Sequence, residues 1–211
     1  GKEVPLKNHR KHSMKKKKIG IVFLAPPGGG KGTTEIMLRE QGYKIATLPF
    51  REELDAAGEA DHDAKEIIRR SRAAGELVPN DIVIPAADRA FERVKDSDII
   101  GLDGFPREIG QVRVALDCLK KHDVGRVIAL HLETHQVIAT VRIVQRARDE
   151  QDGDPHVILR RMESFALETM PVVEYFRENQ QVLGIEFRHF KADHLRRDFP
   201  DLLSILALPP V

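Results

Sequence analysis

The chain has 211 residues, of which 41% are hydrophobic and 32% charged, with 12 prolines, 15 glycines and a net charge of +1. That composition belongs to a globular domain and excludes collagen-like, low-complexity and wholly disordered chains, and no apolar run reaches membrane-spanning length. The single cysteine, Cys118, can form no intramolecular disulfide and cannot build a cysteine-rich zinc site, so disulfide scaffolds are excluded and a reducing, cytoplasmic setting is expected.

The near-neutral total conceals two unlike parts. Residues 1–18 carry eight Lys/Arg against Glu3, leaving 26 basic and 32 acidic residues in the remainder. The basic stretch is expected to be a solvated, disordered leader, with an arm touching nucleic acid or acidic lipid as the alternative. Residues 1–13, ahead of Met14, read as an extension, and no apolar segment follows closely enough for a secretory signal. The folded domain is expected over 19–211, as a monomer with no membrane or nucleic-acid partner.

From Ile19 onward, short apolar runs alternate with helical spacing. The strand candidates are IGIVFL from Ile19, YKIA from Tyr43, DIIGLD from Asp98, RVIALHL from Arg126 and VLGIEF from Val182. They are continuous rather than alternating, as in strands buried on both faces, which predicts an α/β, doubly wound, five-stranded parallel sheet. After the first strand come Gly28, Gly29 and Gly30, then Lys31, Gly32 and Thr33 opening a helix. Such a loop cradles phosphate: without side chains, successive N–H groups converge on the oxygens, and the helix N-terminus and Lys31 add positive charge. Asp55 to Arg72 is charged and Ala-rich, an expected helical excursion from the sheet.

The third strand ends in Asp103, and Gly104 and Pro106 then turn the chain to present Arg107. A carboxylate at that strand end is suited to the water shell of Mg²⁺, and an Arg fixed by Pro can grip phosphate in bidentate fashion. His131 and His135 straddle a strand end, so a metal pair is not expected, and Cys118 reads as a small buried apolar residue. Val137, Val141 and Val144 have the spacing of an apolar helix face. Arg142 and Arg146 share one face of that helix, and Arg161 follows about two turns into a helix with Asp154 as N-cap and Pro155 first. Like charges so grouped repel, and a polyanion between them offsets the repulsion.

Together these stretches resemble the adenylate kinases of the nucleoside monophosphate kinase family. Pro27, Gly28, Gly30, Lys31, Gly32 and Thr33 match its phosphate loop, with Ala25 in place of the first glycine, where a Cβ would be strained if φ were positive. Asp103–Arg107 matches its Asp-Gly-Phe-Pro-Arg signature, and GELVP from Gly75 and Thr169, Pro171 and Tyr175 match further motifs. The resemblance spans about Lys18 to Phe187 and implies transfer of the terminal phosphoryl group of Mg-ATP to AMP. It implies ATP at residues 28–33 with Arg142 over the adenine and Arg146 on the phosphates. AMP is implied at Thr47, Arg51, Val78, Gly104, Arg107 and Gln111, Mg²⁺ through water at Asp103, and transfer assisted by Lys31, Arg107, Arg146 and Arg161. An AMP-binding part over about 46–79 and a short lid over about 147–155, without structural zinc, complete the expectation. Leu48 and Pro49 stand where the family has Gly and Asp, and Glu150 stands at its lid Arg, with Arg148 nearby. Two alternatives stay open: a kinase for another nucleoside monophosphate, disfavoured by Gln111 and Thr47, and a nucleotide-binding relic suggested by Ala25, Pro49 and Glu150.

Overall fold

Along β1 (Lys18–Leu24), Ile19, Ile21 and Phe23 turn to one face of the sheet and Val22 and Leu24 to the other, and both sets are buried. A strand covered on both faces needs apolar residues at every position, which is why its sequence shows no alternation. The computed structural model describes residues 17–74, 77–146 and 154–211. The leader up to residue 16, Gly75 and Glu76, and lid residues 147–153 lie outside the described residues.

After β1 the elements run α1 (Lys31–Glu40), β2 (Ile45–Thr47), α2 (Phe50–Ala60), α3 (His62–Ala74), α4 (Asn80–Arg93), β3 (Ile99–Asp103), α5 (Ile109–Lys121) and β4 (Val124–Glu133). They continue with α6 (Gln136–Arg146), α7 (Pro155–Ser164), a π-helical turn (Phe165–Thr169), α8 (Met170–Leu183), β5 (Glu186–Lys191) and α9 (Phe199–Leu206). The sheet has the order β2-β3-β1-β4-β5 and every pairing is parallel. On one face Val22, Leu24, Ile100, Leu102 and Ala129 pack with Phe50, Leu54, Phe91, Leu119 and Phe176 from α2, α4, α5 and α8. On the other, Ile21, Phe23, Ile128 and Leu130 pack with Leu38 of α1 and Phe199, Leu202 and Leu206 of α9. Ligands of such open sheets bind beyond the carboxyl ends of the strands, where the winding changes direction. Here that place follows β1, between β3 and β4.

Four sequence expectations need correction. β1 begins at Lys18, one residue inside the stretch read as leader, and the second strand is Ile45–Thr47 rather than a run from Tyr43. Val182 and Leu183 close α8, capped by Gly184 at φ 66°, so the last strand is Glu186–Lys191. Val137, Val141 and Val144 do not form the buried face of α6: they are exposed, and Ala139 and Ile143 are buried instead.

Candidate active site

The loop after β1 needs its glycines for two distinct reasons. Gly28 and Gly30 have φ of 75° and 99°, the left-handed region that L side chains avoid. A Cβ on Gly28 would also lie 2.2 Å from the backbone oxygen of Ala139, so the loop passes too close to α6 for any side chain. Gly29 N donates to Pro26 O at 2.8 Å, closing the turn. Gly30 caps α1 without a side-chain hydrogen bond, which leaves first-turn amides for an anion. Thr34, fully buried, ties its hydroxyl to Gly30 O at 2.9 Å. Gly32 is exposed and Thr33 partly so at the start of α1.

Ala25 incurs no strain, because among the described residues the only non-glycines with positive φ are Asp123 and Ala207. Its carbonyl instead accepts from Lys31 Nζ at 3.2 Å. That ammonium group also lies 3.6 Å from Asp103 Oδ1 at the end of β3.

Two cavities meet at this loop. One, of about 360 Å³, is lined by Lys31, Arg51, Asp103, Gly104, Arg107 and Arg161, together with Arg160 and Ser164 of α7. The other, of about 430 Å³, is lined by Gly28, Gly30, Thr33, Arg142 and Arg146 and by the segment Asp193–Arg197 after β5.

In the first cavity Arg107 is already occupied. Its Nε lies 2.6 Å from Glu168 and its Nη2 donates to Ser164 Oγ at 2.5 Å, while its backbone N–H donates to Gln111 Oε1 at 2.8 Å. Gly104 supplies φ 74°, the next peptide (Phe105–Pro106) is cis, and Phe105 stacks on Phe50 at 4.2 Å. Thr47, Val78 and Gln111 are not among the residues lining this cavity. The Thr47 hydroxyl donates to Glu35, which also receives Arg39, and Val78 packs against the core. Leu48, where the resemblance has glycine, is buried and its N–H donates to Gly101 O at 2.7 Å, and Pro49 precedes α2.

The second cavity is held by arginines that bond to backbone. Arg142 Nη2 donates to Ala192 O and Asp193 O, both at 2.8 Å, and its Nη1 to Gly28 O at 3.4 Å. Its partial burial lowers the guanidinium pKa, because desolvation disfavours the charged form. Arg146 Nε donates to Arg142 O at 3.1 Å, and Thr134 Oγ1 to Gly29 O at 3.2 Å.

The residues present fit a hydrated Mg²⁺. Asp103 is an exposed hard oxygen donor beside the cradle, and such an ion uses one or two carboxylates, phosphate oxygens and retained water rather than a protein cage. Among the described residues no group of three His, Cys, Asp or Glu could hold a metal by itself. His131 instead tilts against His189 at 5.2 Å, and burial pushes its pKa down to about 4. His135 Nδ1 accepts from Val137 N. Cys118 is buried in α5, which pushes its thiol pKa up.

Sequence reading overlooked Arg160, Ser164 and Glu168. The signal was available: Val157, Arg160, Arg161 and Ser164 have spacing 3, 1 and 3, one face of a helix, and all four line the first cavity. Arg148 and Glu150 lie outside the described residues. No helix among the described residues is long and apolar enough to cross a membrane.

The family model described as adenylate kinase matches residues 23–181. Adenylate kinase of Nitrobacter winogradskyi is 31% identical over 90% of this chain and 95% of its own length. Adenylate kinase 1 of a Nostoc species is 28% identical over 78% of this chain and 88% of its own. For adenylate kinase of a Synechococcus species the values are 29%, 83% and 93%.

Proposed function

The chain belongs to the adenylate kinase family, making it a nucleoside monophosphate phosphotransferase, and on that premise we propose that it transfers the terminal phosphoryl group of Mg-ATP to AMP, giving two ADP. The observation that carries this reading is the pair of cavities meeting at one phosphate-binding loop, each with its own arginines. The donor nucleoside lies in the cavity with Arg142 and Arg146, and its phosphates run along Gly28–Thr33 to Lys31. The acceptor phosphate lies in the other cavity at Arg51, Arg107 and Arg161, and Gln111 and Thr47 select AMP over other monophosphates.

An oxygen of the acceptor phosphate attacks the terminal phosphorus of the donor, and the bond from that phosphorus to the bridging oxygen breaks as the new one forms. The protein contributes position and charge. Lys31 and the loop amides hold the donor, while Arg107, Arg146 and Arg161 stabilise charge on the transferring group. Asp103 would hold Mg²⁺ through water, and the ion would supply charge neutralisation for the donor. Closure over residues 147–155 excludes water, which would otherwise accept the phosphoryl group.

A coupled assay of ADP formation with AMP, CMP, UMP and GMP tests the reading. AMP is expected to be the preferred acceptor. Preference for another monophosphate would reassign the acceptor, and absence of transfer to all four would leave a nucleotide-binding relic.

A further inference from the structure

We propose that Arg160 is a further catalytic residue, whose guanidinium grips phosphoryl oxygens in the cavity between the phosphate-binding loop and α7. The inference deepens the phosphotransfer reading and rests on it.

The cavity wall carries five cations, Lys31, Arg51, Arg107, Arg160 and Arg161, against a single carboxylate, Asp103. Lys31 is answered by Asp103 at 3.6 Å, and Arg107 by Glu168 at 2.6 Å from outside the wall. The Arg160 side chain makes no hydrogen bond or ion pair with any described residue. The helical spacing of α7 sets where it lies. Ile158 is buried, Leu159 is 50% exposed, and Arg160 lies on the cavity-lining face with Val157, Arg161 and Ser164. Arg160 is itself exposed at the cavity wall, as a group that meets a ligand from solution must be. Two neighbouring arginines on one wall repel, and a polyanion between them removes that cost. A guanidinium fork suits a group with three equatorial oxygens.

The test uses the full chain with Arg160→Ala, Arg160→Lys and, as a control, Arg113→Ala, whose side chain is 83% exposed on α5. Calorimetric titration with inorganic tripolyphosphate is paired with steady-state kinetics. Arg160→Ala should weaken tripolyphosphate binding by about 10-fold or more and lower kcat by about 10-fold or more. Arg160→Lys should recover part of both losses, and Arg113→Ala should match the unmodified chain. Unchanged tripolyphosphate binding and unchanged kcat in a folded Arg160→Ala protein would overturn the assignment, as would a rise in KM alone. If the unmodified chain transfers no phosphoryl group yet its tripolyphosphate binding depends on Arg160, the phosphotransfer reading fails while the anion site stands.

Discussion

The two cavities beside the phosphate-binding loop hold similar numbers of cations but keep them differently. On the Arg142 side the guanidinium is fastened to backbone carbonyls of two separate segments, Gly28 and Ala192–Asp193. On the Lys31 side the cations face carboxylates, as Lys31 does Asp103 and Arg107 does Glu168, or face no partner among the described residues, as with the Arg160 side chain. A carbonyl-bound arginine keeps its place with or without ligand, and so belongs to the architecture. A cation opposite a carboxylate can exchange that partner for phosphate. One region is thus pre-formed, and the other is charged for exchange.

The largest test of this contrast removes the exchangeable cations. Lys31→Ala should chiefly weaken ATP binding and Arg107→Ala chiefly AMP binding, each by roughly 10- to 150-fold, the equivalent of about 1.5–3 kcal/mol for a lost charge-assisted contact. Calorimetry with each nucleotide alone reads it, and equal weakening of both nucleotides by both variants would erase the distinction. Arg142→Ala should behave differently, lowering the stability of the unliganded protein by about 2–3 kcal/mol as three backbone acceptors lose their donor. A chemical denaturation midpoint unchanged from the parent would show that this arginine is no more structural than Arg160.

Acid sharpens the contrast from another direction, because arginines do not titrate while His131 does. His131 lies in β4 beside His189 of β5, the pair of strands that leads to the Ala192–Asp193 acceptors of Arg142. Burial first, and His189 next, hold its folded pKa down to about 4. The unfolded chain, with an ordinary pKa near 6.5, therefore binds more protons between those values. This contribution to stability is complete above about pH 6.5 and is lost as pH falls toward 4, with a size on the order of 1–3 kcal/mol. Melting temperatures across that range should fall, and His131→Phe should flatten the profile.

The smallest expected effect concerns Glu168, whose carboxylate is paired with Arg107 and, on the proposed reading, would compete with acceptor phosphate for it. Glu168→Gln should tighten AMP binding by about threefold to tenfold, since a neutral amide holds the guanidinium less strongly than a carboxylate does. Weaker AMP binding in this variant would recast Glu168 as a support that holds Arg107 in place.

The sequence made the central strands legible because burial on both faces leaves an unbroken apolar run, as in Ile19–Leu24. The same logic misled at β5. There Glu186 and Arg188 are strand residues only partly buried at the sheet edge, and the apolar pair Val182–Leu183 ends a helix. It misled again at α6, where valine spacing pointed to the wrong face. The cause is the close passage of Gly28 over Ala139, which admits only a small residue at the contact. Glycines, Lys31, Asp103 and Arg107 were readable because each belongs to a contiguous motif. Arg160 shared the helical spacing of Arg161 but no contiguous motif, and Glu168 was not readable, since its significance depends on how the π-helical turn packs against Arg107.

The strand order also dictates when the phosphate cradle can come into being. β1 enters the sheet first in the chain but pairs with Ile99–Asp103 and with the β4 residues from Val124 to His131. During synthesis its two hydrogen-bonding edges therefore wait, the later one for more than a hundred residues, before both neighbours exist. At typical elongation of about 5–20 residues per second, that is a delay of several seconds or more. The phosphate loop is therefore secured only after β4 has been made, and a ribosome paused ahead of residue 131 carries a nascent chain whose first strand still lacks one of its two neighbours.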